Sequence, residues 1–389
     1  MHRQPRPFSL YIHIPYCISK CPYCDFNSHV VSAIPEEAYA EALTAELTTH
    51  AAREPWLGRS VQTVFFGGGT PSTFHPATID RILDRTAALF DLDPNCEITL
   101  EANPGTVDRA RFSGYRAAGV NRISVGIQSF QPRLLQLLGR AHSAEEAKAA
   151  LEAARSAGFD NFSLDLIYAN PGQTLEELAA DLQTALRFEP RHVSAYNLTI
   201  EEGTPFYREF RSGRLQVLDE EQEIAMAERV ETTLAAAGLA RYEISNYARR
   251  GFESRHNLNY WEGGDYLGVG AGAHSYHRET GGRIYGRRWW NEKNPGRYMT
   301  ALSTSGDAVA GREQSSLPQA AGEFMFSGLR LMAGIDLAAF TERFGKTVWE
   351  LYPRVSTWVE EGFVESDDRR LRLTRRGLLV ANSIFEYFV

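Results

Sequence analysis

The chain has 389 residues, of which 43% are hydrophobic and 23% are charged, and its formal net charge is −8. This composition is typical of a globular protein large enough for one large and one smaller domain. The acidic balance argues against a nucleic-acid partner, and residues 1–10 lack the apolar run of a signal peptide or membrane span. We therefore expect a cytoplasmic protein, in which clustered cysteines bind metal or take part in catalysis rather than form disulfides.

Short runs rich in β-branched residues alternate with amphipathic stretches through the first part of the chain. The predicted strands are residues 8–14, 61–66, 97–101, 122–127, 162–167 and 192–198. The predicted helices are residues 36–52, 76–90, 107–118, 144–157, 175–188 and 220–237. Strand–helix units of this kind predict an α/β fold with a parallel sheet, in the form of an open, partial (β/α)6 barrel. A doubly wound sheet is the alternative.

The pattern changes after residue 240. Residues 241–245 could form a further strand, and residues 246–300 are rich in Gly, Tyr, Trp, Asn and His with little periodicity. Such a stretch is usually functional or covers a site. Residues 301–316 are small and polar and predict a linker.

The last part of the chain predicts a small α+β domain. From residue 317, three helical patterns precede a hairpin at 363–374, centred on Asp367 and Asp368, and a last helix covers 376–388. Helices with one hairpin are typical of a winged-helix-like domain. The predicted domains are therefore 1–300 and 317–389, joined by the linker 301–316.

Three of the four cysteines are clustered as Cys17-x3-Cys21-x2-Cys24, directly after the first predicted strand. Thiolates are soft ligands that suit iron–sulfur clusters or zinc. Because cysteine normally ligates each iron of a four-iron cluster, three cysteines leave one iron open to another ligand. The spacing and the position favour a [4Fe-4S] cluster. A zinc site completed by His13 or His29 is the alternative.

Polar residues and glycines stand near the carboxyl ends of the later predicted strands. They are Gly67, Gly68, Gly69, Thr70, Glu101, Gln128, Asp165, Asn197 and Thr199. The carboxyl ends of parallel strands meet at one rim, so we expect these residues to converge there. Each of them alone could equally be a satisfied buried polar group, a turn residue or a helix cap.

Several motifs together resemble the radical SAM family of oxygen-independent coproporphyrinogen III oxidase. They are YIHIPYCISKCPYCDFNS from Tyr11, GGGTP from Gly67, NRISVGIQSF from Asn121 and LGRAH from Leu138. Two later segments, YEISNYA from Tyr242 and RHNLNYW from Arg255, are similar to one branch of that family, the HemW-type heme chaperones. The motifs cover nearly the whole chain in the expected order.

The resemblance implies that S-adenosylmethionine occupies the open iron of the cluster, where electron transfer can cleave it to a 5′-deoxyadenosyl radical. Tyr11, Gly68 and Glu101 would then contact the cluster-bound molecule. A second set matches contacts to a second S-adenosylmethionine in the oxidase. This set is Tyr23, Gly69, Thr70, Gln128, Arg140, Asp165 and Thr199.

The segment His256-Asn257-x2-Tyr260 resembles the motif proposed to hold heme in the chaperones. Imidazole is a common axial ligand of heme iron and Tyr a rarer one. The alternative is a structural loop in which His256 and Asn257 satisfy backbone groups. The resemblance implies heme as ligand and acceptor hemoproteins, such as those of the respiratory chain, as partners. It also allows a peripheral place at the membrane and a monomer or homodimer.

Two features separate the branches of this family. The oxidase pattern has a further cysteine two positions after the third, where this chain has Phe26, and it has an N-terminal extension before the first strand, where this chain is short. Both differences favour a heme chaperone over an enzyme that decarboxylates coproporphyrinogen, which is the alternative. Ala169-Asn170 replaces the usual Gly-Leu, and we expect this difference to change a turn and leave the chemistry intact.

Overall fold

The computed structural model describes residues 6–279 and 282–389. Residues 1–5, which belong to the segment predicted to lack a signal peptide, lie outside the described residues. Within the described ranges, no helix is both long enough and apolar enough to cross a membrane.

The structure contains strands along its whole length. They are β1 (Phe8–Ile14), β2 (Tyr16–Cys17), β3 (His29–Val30), β4 (Ser60–Gly68), β5 (Asp91–Ala102), β6 (Arg122–Gln128), β7 (Phe162–Tyr168), β8 (His192–Asn197), β9 (Ala240–Glu243), β10 (Asn246–Ala248), β11 (Tyr266–Val269), β12 (His274–Arg278), β13 (Gly286–Asn291), β14 (Val309–Ser315), β15 (Ile335–Asp336), β16 (Val364–Ser366) and β17 (Arg370–Leu373).

The helices follow the strands and also fill the C-terminal part. They are α1 (Glu36–Ala51), α2 (Pro76–Leu89), α3 (Arg109–Ala117), α4 (Pro132–Leu137), α5 (Ala144–Ser156), α6 (Leu175–Leu186), α7 (Pro205–Arg211), α8 (Glu220–Ala236), α9 (Arg255–Trp261), α10 (Pro295–Ser305), α11 (Leu317–Gly328), α12 (Leu337–Phe344), α13 (Val348–Leu351), α14 (Arg354–Glu360), α15 (Arg375–Leu379) and α16 (Ala381–Phe385). Short 3-10 turns lie at Pro71–Thr73, Pro104–Thr106 and Glu386–Phe388.

Local sequence explains where several of these helices begin. Ser143, Thr174 and Asp219 each accept a hydrogen bond from a backbone N–H of the first turn. The side chain of the Glu or Gln three residues later accepts a second hydrogen bond from the backbone N–H of the cap residue. This reciprocal arrangement satisfies N–H groups that a helix start leaves unpaired. It therefore determines the residues at which α5, α6 and α8 begin.

One sheet of twelve strands dominates the molecule, in the order β14-β13-β12-β11-β1-β4-β5-β6-β7-β8-β10-β9. The run from β11 through β1 to β8 is parallel throughout. Strand β1 is buried on both faces, as expected of a parallel sheet covered by helices. The predicted α/β class is confirmed, and the six predicted parallel strands all form. The sheet gains a seventh parallel strand, β11, beside β1.

The region predicted to be irregular is mostly regular. Residues 246–300 contribute β10 to β13, α9 and the start of α10, and the stretch predicted as a linker, 301–316, contains the end of α10 and all of β14. Strands β12, β13 and β14 form an antiparallel extension of the sheet. Both predictions were wrong about secondary structure, because HSYHR, GRRWWN and VAGREQS lack the regular alternation of apolar with polar side chains that predicts a half-buried strand.

The C-terminal part has a core of its own, built around Phe340, Trp358, Leu371 and Phe385. The predicted hairpin forms as β16 and β17, and β15 adds a third strand. Four helices precede the hairpin instead of three, and the predicted last helix is divided at Val380 into α15 and α16. The division into domains at 300 and 317 stays a prediction.

Candidate functional site

The three cysteines lie on the loop that follows β1. Cys17 is paired with Val30 between β2 and β3, and all three thiols are free and half-buried. Burial raises the pKa of Cys17 and of Cys24, so both are thiols at neutral pH until a metal displaces their protons. The Thr70 hydroxyl donates to Cys17 Sγ at 3.4 Å, and an Arg140 N–H donates to Cys21 Sγ at 3.5 Å.

The glycine loop after β4 packs directly against the cysteine loop. The N–H groups of Gly69 and Thr70 donate to the carbonyl oxygens of Ile14 and Tyr16, each at 2.8 Å. A Cβ on Gly69 would lie 2.7 Å from the Tyr16 carbonyl oxygen, and Gly68 has a φ of +117°. Glycine is required at both positions, because no other side chain fits the close approach or the backbone conformation.

Two carboxyl groups enter the same space from β5 and β7, the strands on either side of β6. Glu101 accepts a hydrogen bond from the Gly68 N–H at 3.1 Å, and burial together with the Asp165 charge raises its pKa to about 8. Burial also raises the pKa of Asp165, although Ser124 donates to both of its oxygens at 2.9 and 3.0 Å. Glu101 is therefore largely protonated at neutral pH, when it can donate as well as accept.

A cavity of about 500 Å³ opens among these groups. It is lined by Cys17, Cys21 and Cys24 and by the predicted cofactor contacts Tyr23, Gly68, Gly69, Thr70, Glu101, Gln128, Arg140, Asp165 and Thr199. Side chains separated by up to 182 positions in the chain thus share one space at the carboxyl ends of the parallel strands. The volume suits one ligand of the size of S-adenosylmethionine.

Tyr11 is the one predicted S-adenosylmethionine contact that does not line this cavity. Its hydroxyl is hydrogen-bonded to His13 Nδ1 at 3.0 Å, and His13 Nε2 is bonded to the Asn27 carbonyl oxygen at 2.9 Å. The Asn27 side chain in turn donates to the carbonyl oxygens of Ala271 and Lys293, at 2.9 and 3.0 Å. These hydrogen bonds hold the end of the cysteine loop at Asn27 against β1 and against the segments that contain Ala271 and Lys293.

The sequence reading did not assign roles to Asn27 or Ser124. The sequence feature that could have pointed to Asn27 is its position three residues after Cys24. Ser124 has one: it lies on β6 two residues before Gly126, which also lines the cavity, and alternate residues of a strand share a face. The same alternation connects Tyr11 with His13 on β1.

The predicted heme residues lie in a second, smaller chamber of about 200 Å³, which shares Glu101, Ser124, Asp165 and Tyr196 with the first cavity. His256, Asn257 and Tyr260 line it together with Tyr11. Its volume is below that of ordinary ligand pockets, which start near 300 Å³. The structure therefore brings the three residues together, but in a space too small for a porphyrin.

His256 is 1% exposed and has partners on both ring nitrogens. Nδ1 is bonded to the Thr63 hydroxyl at 2.8 Å and Nε2 to the Tyr260 hydroxyl at 3.0 Å. Burial lowers the pKa of His256 to about 3, so the ring is neutral at any ordinary pH. Neither nitrogen is open to iron in this arrangement, and the geometry favours the structural alternative for this motif. Heme contact by His256, Asn257 and Tyr260 stays a prediction.

The donor set fits a cluster better than single zinc. Across residues 6–279 and 282–389, no group of three His, Cys, Asp or Glu side chains is placed to hold one metal ion. His13, a candidate fourth zinc ligand, already has both nitrogens engaged. The three thiols line a cavity of about 500 Å³, which leaves room for a group larger than one metal ion, carried by sulfur alone.

Ala169 and Asn170 form a turn directly after β7, and its difference from a Gly-Leu turn stays a prediction. Ala169 has a φ of +59°, in the left-handed region that glycine adopts freely, and the Asn170 side chain donates to the Ile167 carbonyl oxygen at 2.8 Å. The turn lies beside the cavity without narrowing it, since neither residue lines it.

Two family models match the chain: the radical SAM superfamily over residues 11–185 and the HemN C-terminal domain over residues 316–380. Among curated proteins, the chain is 39% identical to the heme chaperone HemW of Haemophilus influenzae, over 98% of both chains. It is 38% identical to the HemW of Escherichia coli, again over 98% of both. With the HemW of Bacillus subtilis it shares 36%, over 98% of this chain and 99% of that one.

Among solved structures, the chain is similar to coproporphyrinogen III oxidase (HemN) from Escherichia coli, described as a radical SAM enzyme. The TM-score is 0.82 and the identity 24%, with 100% of this chain and 91% of that chain covered. This likeness shows the fold, which is the predicted radical SAM fold with a C-terminal domain.

Proposed function

This chain belongs to the HemW family within the radical SAM superfamily, and we propose from that membership that it is a heme chaperone. It binds heme beside a [4Fe-4S] cluster with S-adenosylmethionine and transfers the heme to acceptor hemoproteins. The observation that carries the proposal is the identity of 36% to 39% with curated HemW heme chaperones over 98% of this chain.

Different residues of the cavity would hold the cluster and S-adenosylmethionine. Cys17, Cys21 and Cys24 would ligate three irons and leave the fourth to the amino and carboxylate groups of S-adenosylmethionine. When bound, the cluster supplies one electron that can cleave the cofactor. The Glu101 and Asp165 carboxyl groups would bond its amine or ribose hydroxyls, and Arg140 would pair with a carboxylate; all three line the cavity.

The alternative, a coproporphyrinogen III oxidase, is not favoured over this proposal. The relatives at 36% to 39% identity are heme chaperones, whereas the likeness to the oxidase rests on fold. An anaerobic assay with reductant, S-adenosylmethionine and coproporphyrinogen separates the two. We expect no protoporphyrinogen from protein with an intact cluster, and steady turnover would restore the oxidase.

Heme binding is tested by titrating cluster-loaded protein with hemin under anaerobic conditions. We expect a saturable shift of the Soret band and, on mixing with an apo-hemoprotein, movement of the heme to that acceptor. A linear, unsaturated response would contradict the proposal. We further propose acceptors among respiratory hemoproteins, reached from the cytoplasm at the membrane surface by a monomer or homodimer.

Cluster ligation is tested by single alanine variants of Cys17, Cys21 and Cys24. Each should reduce the iron and sulfide bound after anaerobic reconstitution to background, because a cubane held by two thiolates is not retained. Cys96→Ala is the matched control, since Cys96 is buried on β5 away from the cavity. Full iron content in any of the three variants would remove that cysteine from the ligand set.

A further inference from the structure

Two sulfur atoms of the cysteine loop already have hydrogen-bond donors beside them. The Thr70 hydroxyl donates to Cys17 Sγ at 3.4 Å, and an Arg140 N–H donates to Cys21 Sγ at 3.5 Å. A second Arg140 N–H donates to the Gly126 carbonyl oxygen at 2.8 Å, which holds the guanidinium in place. The donors come from the glycine loop after β4 and from the segment between α4 and α5, so two separate parts of the fold place them.

Ser28 supplies a third donor, whose hydroxyl has no partner of its own. The residue is 7% exposed and lines the cysteine cavity. Its backbone is already engaged, because its N–H donates to the Phe26 carbonyl oxygen at 2.7 Å and its carbonyl oxygen accepts from the Lys20 ammonium at 3.4 Å. Within residues 6–279 and 282–389, the buried Ser28 Oγ has no hydrogen-bond partner. Such a hydroxyl destabilises the fold unless a bound group satisfies it.

The unpartnered hydroxyl lies beside one of the sulfurs. Burial raises the pKa of the Cys17 thiol, whereas the Thr70 and Ser28 hydroxyls both favour its thiolate form. Ser28 is therefore close to the same sulfur that accepts from Thr70. Once a metal displaces the thiol proton, this sulfur is a stronger acceptor, and a bond to it would satisfy the Ser28 hydroxyl.

We propose that Ser28, Thr70 and Arg140 donate hydrogen bonds to the cysteine sulfurs of the [4Fe-4S] cluster and thereby raise its reduction potential. Ser28 and Thr70 act at Cys17, and Arg140 acts at Cys21. This inference rests on the proposed function, of which the cluster is a part, and adds the residues that set its potential. Reduction adds one negative charge to the cluster and its thiolates, so donors directed at sulfur stabilise the reduced form more than the oxidised form.

The two hydroxyl groups allow a direct test, because their removal changes no formal charge. Arg140 acts through its positive charge as well as its hydrogen bond, so replacing it would not separate the two effects. Ser28→Ala and Thr70→Val each remove a hydroxyl at nearly constant size, and Thr70→Ser retains it. Thr99→Val is the matched control: Thr99 is fully buried on β5, its hydroxyl also lacks a partner in the described part of the chain, and it lines the His256 chamber rather than the cysteine cavity.

The experiment is a redox titration of each protein after anaerobic cluster reconstitution, followed by the electron paramagnetic resonance signal of the reduced cluster. S-adenosylmethionine is omitted, which excludes an effect through its contacts. We expect Ser28→Ala and Thr70→Val to shift the midpoint to a more negative potential, and Thr70→Ser and Thr99→Val to match wild type. At the wild-type midpoint, the ratio of reduced to oxidised cluster should fall at least about twofold in each shifted variant, because hydrogen bonds to charged acceptors are among the stronger ones.

A second measurement detects the hydrogen bonds themselves. After exchange into deuterium oxide, electron–nuclear double resonance of the reduced wild-type cluster should show coupled deuterons. Ser28→Ala should lose one of them, and Thr99→Val should lose none. If Ser28 only supported the loop, its replacement would leave the deuteron spectrum unchanged.

The outcomes separate this proposal from the proposed function. Wild-type midpoints in Ser28→Ala and Thr70→Val, each with full iron and sulfide content, overturn the donor set and leave the chaperone in place. An equal shift in Thr99→Val also overturns it, and an unchanged midpoint and deuteron spectrum in Ser28→Ala alone remove Ser28. If one variant takes up no cluster, the other decides by the same criterion. A wild-type protein without a cluster overturns both proposals, whereas hemin titration of the loaded protein tests the chaperone independently.

Discussion

Ala169 is held in a backbone conformation that its side chain disfavours. Its φ of +59° is left-handed, which costs an L-residue about 1 kcal/mol relative to glycine, and the turn continues through Asn170, whose amide donates to Ile167. The surrounding turn imposes this conformation on Ala169, and a glycine at the same position would adopt it without strain.

We expect Ala169→Gly to raise the free energy of unfolding by about 0.5 to 1 kcal/mol. Relief of the left-handed strain exceeds the extra entropy that glycine gains in the unfolded chain. Urea denaturation of cluster-free protein measures the change, with Ala157→Gly, at the end of α5 with an ordinary negative φ, as the destabilising control. An unchanged midpoint for Ala169→Gly would show that the turn relaxes without cost.

Glu101 makes stability depend on pH. Its pKa is raised to about 8 in the folded protein, mainly by burial, against an ordinary value of 4.5. Between these two values the folded state retains a proton that the unfolded state has released, so stability falls as the pH rises through this window.

Replacing the acid with a neutral amide should remove this dependence. We expect Glu101→Gln to unfold like wild type near pH 4.5 and to be more stable at pH 9, by a few kcal/mol at most. Denaturation of cluster-free protein across this range measures it. Parallel curves for the two proteins would mean that Glu101 ionises normally. The same variant should bind S-adenosylmethionine more weakly when loaded, if the carboxyl group contacts the cofactor.

At the scale of secondary-structure elements, α9 is anchored to the sheet at both its backbone and its side chains. Glu97 of β5 accepts from the N–H groups of Arg255 and His256 at 3.2 and 3.0 Å, and His256 is bonded to Thr63 of β4. The helix that carries the predicted heme motif thus covers one side of the polar chamber, where its polar groups already have partners.

His256→Ala is therefore expected to destabilise the fold by about 1 to 3 kcal/mol, because the Tyr260 hydroxyl loses its buried partner and the ring volume is lost. Tyr260→Phe removes the same hydrogen bond from the other side, so the double variant should be less destabilised than the sum of the two. Chemical denaturation measures all three. If His256 instead served heme alone, its replacement would alter the Soret spectrum at unchanged stability.

The parallel strands could be predicted because each contains several buried residues in a short run, and β1 forms over the predicted residues 8–14. Strand β5 is the exception in length, since it begins at Asp91 and not at residue 97. Strands β12 to β14 could not be predicted, because none of them shows a regular alternation of apolar and polar residues. Their one local signal was strand-favouring aromatics such as Tyr276, Trp289 and Trp290. The residues at the rim of the cavity could be predicted because they lie near the carboxyl ends of predicted strands. The burial of His256 could not, because it depends on α9, a helix that the sequence did not predict.

In the molecule as a whole, Arg330 joins the C-terminal part to the large sheet. Its guanidinium lies 4.4 Å from the centre of the Trp261 ring on α9 and 3.9 Å from the buried carboxylate of Glu243 on β9. A hydrogen bond from the Met332 N–H to the Tyr242 carbonyl oxygen, at 3.0 Å, lies beside it.

We expect Arg330→Ala to lower the free energy of unfolding by about 3 kcal/mol, because Glu243 would remain buried without a countercharge. Unfolding followed by tryptophan fluorescence and by circular dichroism should then separate into two transitions as the C-terminal part loosens. Arg330→Lys keeps the charge but loses the stacking of the planar guanidinium on Trp261. Its free energy of unfolding should therefore lie between those of wild type and Arg330→Ala. A single unshifted transition for Arg330→Ala would show that other contacts hold the parts together.

The large sheet ends in an open edge at β14, and this edge has a consequence for behaviour in a crowded cell. An unpaired strand invites the edge of another molecule to add to it, which is a route to aggregation. Strand β14 carries Arg312, Glu313 and Gln314 in succession, all outside the buried core, and Arg312 pairs with Asp307 at 3.3 Å. Charges of both signs along the edge oppose such pairing, because a strand added there would have to place its side chains against them.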